Sequence, residues 1–430
     1  MLIGTMFLIM LFLIFINVPI GIALAIAATV GVVIDGGTGK VLSIAIEMYR
    51  GATGFPLISI PMFVLAGAIM NAGGISRRLI AFVSALIGFV RGGLAMVNIG
   101  VSLFFAEISG SAVADVAALG SILIPEMKRR GYSAPFAAAV TSSSASLAII
   151  IPPSIPMILY GVSANASIEQ LFVAGIVPGF LGGFMLMVVA YVFARRYNFP
   201  VEEAFNTRNL WVTFVDALPA LLMPVIILGG LFGGLVTATE AAGLAVVAAI
   251  IVGLIYRDFD VKHLRQSMLD GGMQTAVVMV LVAASVLLGD LLTVSRVPQT
   301  LAESILSYTD NKYMVLLILN VFFLIIGFFL HSAAAIILVI PIVLPLIQKV
   351  GIDPVHFGLI VTLNLAIGQQ TPPVASVLIT SCSIAKADIW QTTKVNIWFI
   401  AVLLTVLLMC TYVPAIPMFL VDYFYPARIK

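Results

Sequence analysis

Residues 141–156 read TSSSASLAIIIPPSIP, and residues 361–376 read VTLNLAIGQQTPPVAS. Each is an apolar helix stopped by a proline pair, Pro152-Pro153 and Pro372-Pro373, and the two stops lie 220 residues apart. Sliding the chain against itself by that offset also brings Pro125 onto Pro345 and Gly131 onto Gly351. Proline lacks the amide a helix needs and clashes with the preceding turn, so each pair splits its helix in two. Outward from each split the grammar is the same: an apolar run, a small or polar tip, an apolar run back, then a turn at Pro and Gly. The first tip is Ser109-Gly110-Ser111, and the second lies near His331-Ser332.

These apolar runs are shorter than the roughly 20 helical residues needed to cross a hydrocarbon core. They read as re-entrant hairpins and half-helices. Non-helical backbone survives at membrane depth only where protein or a water-filled cavity covers it. Two such interruptions at matching places in two halves of a chain point to the binding site of a transporter.

The composition agrees with a membrane setting. With 62% hydrophobic residues, 9% charged residues and a mean hydropathy of +1.20, the chain is an all-α polytopic membrane protein whose surroundings are the lipid bilayer. Its net charge of +2 is spread through loops, which excludes nucleic acid as a partner. No basic residue precedes Lys40, so the run from Met1 to Ile16 reads as a retained membrane segment and not a cleaved leader. Cys382 and Cys410 sit in apolar surroundings and read as packing residues. His263, His331 and His356 have no metal-ligand spacing, and no catalytic set stands out. Without a phosphate-binding loop, ATP is not the direct energy source through this chain, which leaves an ion gradient.

In order, residues 1–194 form a first repeat: scaffold helices at 2–72, an amphipathic arm at 75–92, a hairpin at 95–127, a broken helix at 133–163 and a helix at 171–194. Within the scaffold, Asn17-Val18-Pro19 hinges two short runs, residues 35–54 read as a polar connection, and 56–72 cross. A polar linker at 195–211, with Glu202 and Glu203, leads to the second repeat at 212–420. There scaffold helices occupy 212–292, an arm 297–309, a hairpin 313–349, a broken helix 355–385 and a last helix 395–420. Placing Lys128-Arg129-Arg130 in the cytoplasm and counting crossings outward puts Arg77, Arg91, Arg195, Arg196, Arg208, Arg257, Arg265 and Lys394 on that side too. The first hairpin then enters from the cytoplasm and the second from the periplasm. The repeats are therefore expected to have inverted topology, with tips and breaks meeting near the midplane.

A broken helix exposes carbonyls at one half and amides at the other. Carbonyls and hydroxyls suit a hard monovalent cation, and half-helix N-termini suit a carboxylate. One such cation is expected at each break. The first site would draw on Ser109, Gly110, Ala148, Ile151 and Ser154, and the second on Gly327, Gly368, Thr371 and Val374. The candidate substrate set is Ser109, Ser111, Asp115, Ser143, Arg296, His331, Gln369 and Gln370. Several of these residues carry a plainer reading as well. Glu107 and Asp115 either serve the site or fix the hairpin by hydrogen bonds. His331 is either a substrate contact or a satisfied hydrogen-bonder, Arg296 meets either an anionic substrate or a lipid headgroup, and Glu240 reads as a helix cap.

The stretches 105–125 (FAEISGSAVADVAALGSILIP) and 150–157 (IIPPSIPM), with 351–358 (GIDPVHFG) and 364–368 (NLAIG) before Thr371-Pro372-Pro373, resemble the large, DctM-like membrane subunit of tripartite ATP-independent periplasmic (TRAP) transporters. The resemblance runs essentially end to end. It implies a multi-pass protein of the bacterial inner membrane that imports an organic acid, with sodium as coupling ion and no other cofactor. It also implies two partners, a small four-helix membrane subunit and a soluble periplasmic substrate-binding protein. The implied mechanism is an elevator, in which hairpins and split helices slide against the scaffold. Leu330-His331-Ser332 and Gln369-Gln370 depart from the family pattern and fit a sugar acid such as a sialic acid as well as a four-carbon dicarboxylate. A stand-alone sodium and divalent-anion symporter is the rival within transport, and an intramembrane enzyme built on Glu107 and Asp115 is the rival outside it.

Overall fold

Proline and glycine set the helix ends, and the helices they delimit make up the molecule. In the computed structural model the described residues are 2–16, 18–199, 201, 205–257, 261–372 and 374–426. Among them every regular element is helical, apart from an isolated bridge between Arg91 and Val201. Asn17, Glu202, Glu203 and Pro373 lie outside the described residues, as do the side chains of Glu107, Ser109 and His263.

The first half begins with α1 (Leu2–Phe15), α2 (Ile20–Gly36), α3 (Val41–Ala52) and α4 (Ser59–Ala72), followed by the arm α5 (Ile75–Ile87). A hairpin of α6 (Gly93–Ser109) and α7 (Ala112–Arg129) leads to the split helix α8 (Ala134–Ala145) and α9 (Ile155–Ala164), then to α10 (Ile168–Arg196). The second half runs through α11 (Thr207–Phe232), α12 (Ala238–Tyr256) and α13 (Val261–Val294) to the arm α14 (Val297–Leu306). There follow a hairpin of α15 (Lys312–Phe329) and α16 (Ser332–Lys349), the split helix α17 (Pro354–Gly368) and α18 (Ser376–Ala385), and finally α19 (Ile389–Tyr412) and α20 (Ala415–Phe424). Eight helices among the described residues are long and apolar enough to cross a membrane.

Three features differ from the sequence reading. Residues 35–54 are more than a connection, because they contain α3, an amphipathic helix whose Ile44 is buried. The hairpin legs are 17 or 18 residues long, about 26 Å at 1.5 Å per residue, close to the thickness of a hydrocarbon core. The legs run on through Pro125, Pro341 and Pro345, which membrane helices tolerate where neighbours re-satisfy the freed carbonyls. The last helix, expected to be continuous over 395–420, stops at Val413 (φ −121°, ψ 78°). Pro414 causes the stop by disfavouring helical geometry in the residue before it.

The helices sort into two packed groups, and each group draws on both halves of the sequence. In one, α2, α3 and α4 pack on α13, α4 also packs on α12, and α12 packs on α11. In the other, the hairpins and split helices interlock: α9 packs on α16, and α18 packs on α7 and α8. An aromatic cluster tightens the second group where Tyr132 and Phe136 meet Phe193, Phe199 and Phe399, with the Tyr132 and Phe199 ring centres 4.4 Å apart. Small residues on α10 admit the first break: Gly175 lies against the Ile150 carbonyl, and a Cβ at Gly179 would stand 2.5 Å from Ile151 Cγ1. The arms are not equivalent. The first, α5, packs on α11 and α6, whereas the second, α14, packs on α16 and α13.

Candidate functional site

The first tip and the first break touch. Gly110 turns the chain between α6 and α7 at φ 57°, a left-handed conformation that costs other residues about 1–2 kcal/mol. A Cβ there would lie 2.9 Å from the Pro153 carbonyl oxygen and 3.2 Å from the Ile155 nitrogen. Beyond α8, residues Ser146–Ile149 tighten into a 3₁₀ turn, and the amides of Ile150 and Ile151 both donate to the Leu147 carbonyl. Ser154 restarts the helix. Its hydroxyl donates to the Ile149 carbonyl and accepts from the Met157 amide. Ala148 lies within this turn and Ile151 just beyond it, and residues 141–154 are all buried.

The second break is closed by backbone against backbone. Gly327 of α15 meets Gly368 at the end of α17 so closely that a Cβ on Gly368 would lie 2.5 Å from the Gly327 Cα. Beyond Gly368, the Thr371 amide donates to the Gly368 carbonyl at 2.9 Å and the Thr371 hydroxyl to the Ile367 carbonyl at 3.0 Å. Val374 is partly exposed, and buried Ala375 holds a left-handed φ of 44° just before α18. Across the break, the Val377 amide donates to the Gln369 carbonyl at 3.1 Å.

Both tips border one cavity of about 660 Å³, walled on the far side by α2, α4 and α13. Ser111, Ala112 and Val113 line it at the start of α7, His331 to Ala334 at the start of α16, and Gln369 at the second break. The opposite wall is apolar except for Gln274 and Thr275. Several helix starts are capped by a side chain: Ser133, Ser154, Asn311, Asp353 and Asp388 each accept a backbone N–H, whereas others, among them α2 on the opposite wall of the cavity, are not. Glu240 closes a reciprocal capping box with Thr237. At α7 and α16 no side-chain cap hydrogen bond is made. On the side of the tips, two helix starts, each with amides pointing out of the helix and a partial positive charge, thus border the same space.

Of the expected substrate residues, Ser111, His331 and Gln369 line the cavity. Asp115 is fully buried in the first turn of α7. Ser143 and Gln370 are buried and do not line the cavity; with Asn396 of α19 they form a separate knot. The Ser143 hydroxyl lies 2.8 Å from Gln370 Oε1 and 2.7 Å from Asn396 Oδ1, and Asn396 Nδ2 donates to the Gln370 carbonyl at 3.3 Å. Ser143 has one proton for two oxygens. Turning the Gln370 amide to present Nε2 to Ser143 pairs all three groups, at the expense of a 3.5 Å contact to the Ala366 carbonyl. Arg296 stands apart: it is exposed at the start of α14 and does not line the cavity.

The profile of the tripartite ATP-independent periplasmic transporter DctM component matches residues 7–416. The chain belongs to this family. It is 43% identical over 94% of its length to the isethionate TRAP transporter permease protein DctMQ of Oleidesulfovibrio alaskensis, of which it spans 64%. It is 38% identical over 88% of its length to the C4-dicarboxylate TRAP transporter large permease protein DctM of Pseudomonas aeruginosa, and spans 88% of that chain. In fold it resembles the YdaH transporter of Alcanivorax borkumensis, described as having an unusual topology, with a TM-score of 0.62 at 14% identity over 91% of this chain and 90% of that one. As a DctM component it is a transporter permease of the bacterial inner membrane and not an enzyme.

Sequence reasoning missed the polar pins that hold each hairpin to its split helix. In the first half Asn98 Nδ2 donates to Thr141 Oγ1 at 2.7 Å, and Ser102 Oγ to Ser144 Oγ at 3.0 Å. In the second, Asn364 Nδ2 donates to Asn320 Oδ1 at 2.7 Å, and Asn320 Nδ2 ties the hairpin on to α19 through Thr411 Oγ1 at 3.2 Å. The available signal was spacing. Asn98 with Ser102, and Thr141 with Ser144, recur at one helical turn in apolar runs and so share a face.

Proposed function

We propose that this permease imports a small organic anion coupled to sodium, and that the anion occupies the cavity between the hairpin tips and the opposite wall. The observation that carries the proposal is the convergence of two helix starts without side-chain caps on one cavity of about 660 Å³. That volume lies within the usual range for small-molecule sites, and helix-start amides favour a negatively charged group. The relatives named for isethionate and for C4-dicarboxylates support a small anion as cargo.

Sodium is assigned to the breaks. The close approach of Gly327 and Gly368, with Thr371 beside them, concentrates carbonyl and hydroxyl oxygens suited to a hard cation. Gly110, Ala148, Ile151 and Ser154 offer the same chemistry at the first break. Movement would carry the hairpin and split-helix group past the group built on α2–α4 and α11–α13, as an elevator. A small four-helix membrane subunit and a periplasmic binding protein that delivers the anion complete the proposed assembly.

Reconstitution in proteoliposomes tests this reading. An inward sodium gradient should drive anion accumulation when the binding protein and small subunit are present. Equal uptake with sodium replaced by choline would remove the coupling, and full uptake by this chain alone would replace the tripartite reading with a stand-alone symporter.

A further inference from the structure

Gln369 sits at the cavity with its backbone fixed on both sides. Its amide donates to the Leu365 carbonyl at 3.1 Å, and its own carbonyl accepts from Val377 across the break. The side chain lines the cavity while the residue is only 1% exposed. Its Nε2 turns back toward the Leu365 carbonyl at 3.4 Å, and its Oε1 is buried with no hydrogen-bond partner. Reversing the amide would set Oε1 against that carbonyl, oxygen to oxygen, so the donor side belongs to the helix and the acceptor is the side left unpaired. A buried acceptor left unmade is costly.

The helix starts at Ala112 and Ser332 offer backbone N–H donors. An ionised carboxylate or sulfonate is acceptor-only and suits them, but it has nothing to give Gln369 Oε1. His331, Gln274 and Thr275 each combine donor and acceptor and so accommodate either kind of partner. Among these side chains Gln369 alone makes a fixed demand. We propose that the cargo is an organic anion bearing a hydroxyl, whose anionic head faces the helix starts while its O–H donates to Gln369 Oε1. This deepens the proposed function and depends on it.

The test uses matched pairs of anions on the full chain purified in detergent with saturating sodium: 2-hydroxyethanesulfonate with ethanesulfonate, malate with succinate, and lactate with propionate. Affinity is read from ligand-dependent thermal stabilisation. The hydroxylated member of a binding pair should bind about tenfold tighter or more, as expected when a ligand leaves a buried polar group unpaired. In Gln369→Leu, and separately in Gln369→Met, that preference should fall to near one, chiefly because the deoxy anion gains. Equal affinity within pairs in the wild type would mean that water serves Gln369, and would overturn the hydroxyl requirement while leaving the anion cavity standing. A preference unchanged in both variants would overturn the assignment to Gln369. Absence of stabilisation by every anion would instead overturn the cavity reading itself.

Discussion

Gly327 and Gly368 meet with no side chain between them, and their contact sets how closely the second hairpin approaches its broken helix. In Gly368→Ala the new Cβ would stand 2.5 Å from the Gly327 Cα and 2.6 Å from its carbonyl carbon. Both are backbone atoms, so the break must open, at a cost of about 1–3 kcal/mol for overpacking. We expect a lower unfolding temperature in detergent and at least a fivefold loss of apparent sodium affinity in uptake. Stabilisation by sodium equal to that of wild type would separate this contact from the ion. Gly110→Ala should cost at least as much, since it adds a left-handed φ of 57° to a 2.9 Å approach to Pro153; the unfolding temperature checks it. At this scale the sequence was legible where chemistry alone marks a residue: glycine and serine at a tip, proline at a break. It named Gln369 without showing that its acceptor goes unpaired, and it was silent on Asn396, because an amide in an apolar run has the same spelling whether it is paired or not. Arg296 shows the converse, as its charge suggested a site and its position at the start of α14 lies away from the cavity.

Between elements, a tie joins the first arm to the second half of the chain. α11 runs on through Pro219 and Pro224. Beside Pro219 the Tyr256 hydroxyl, from the end of α12, accepts from the Ala220 amide at 3.2 Å and donates to the Asp216 carbonyl at 2.8 Å. Those are the two groups that a regular helix would join to each other, so the tyrosine bridges the ladder where proline strains it. Arg78 of α5 places its guanidinium carbon 3.9 Å from the centre of the same ring, and Nε lies 3.3 Å from Asp216 Oδ1. Tyr256→Phe removes the bridge and keeps the ring. Losing such a bond is worth about 1 kcal/mol, so the peptide containing Ala220 should exchange its amide hydrogens several-fold faster by mass spectrometry. Unchanged exchange there would show that α11 closes its own ladder. Existence and order of the helices were legible because their apolar runs are long and punctuated. The stop at Val413 and the helix over Val41–Ala52 were not, since a single proline in an apolar run and an amphipathic stretch in a polar context each permit two readings.

At the scale of the molecule, the sequence divides at the linker over 195–211 while the packing divides across it. α2–α4 join α11–α13, and the hairpins and split helices of both halves join each other. Periodicity reveals which segments resemble one another and not which ones touch, so this sorting had to come from the structure. The cavity lies on the seam between the groups, with Val113 on one wall and Val64 on the other. If the groups slide past each other during transport, joining those walls must stop it. In a background carrying Cys382→Ala and Cys410→Ala, which removes both buried native thiols, Val113→Cys with Val64→Cys bridged by a bifunctional methanethiosulfonate should abolish uptake, and thiol reduction should restore it. The matching control lies within one group: a Cβ at Gly21 would stand 3.4 Å from Val280 Cγ1, so Gly21→Cys with Val280→Cys should bridge readily and leave at least half of the uptake. Transport that survives the bridge across the cavity would mean that the tips move locally while the two groups stay in register. Transport lost in the control would mean that the group built on α2 and α13 is not rigid.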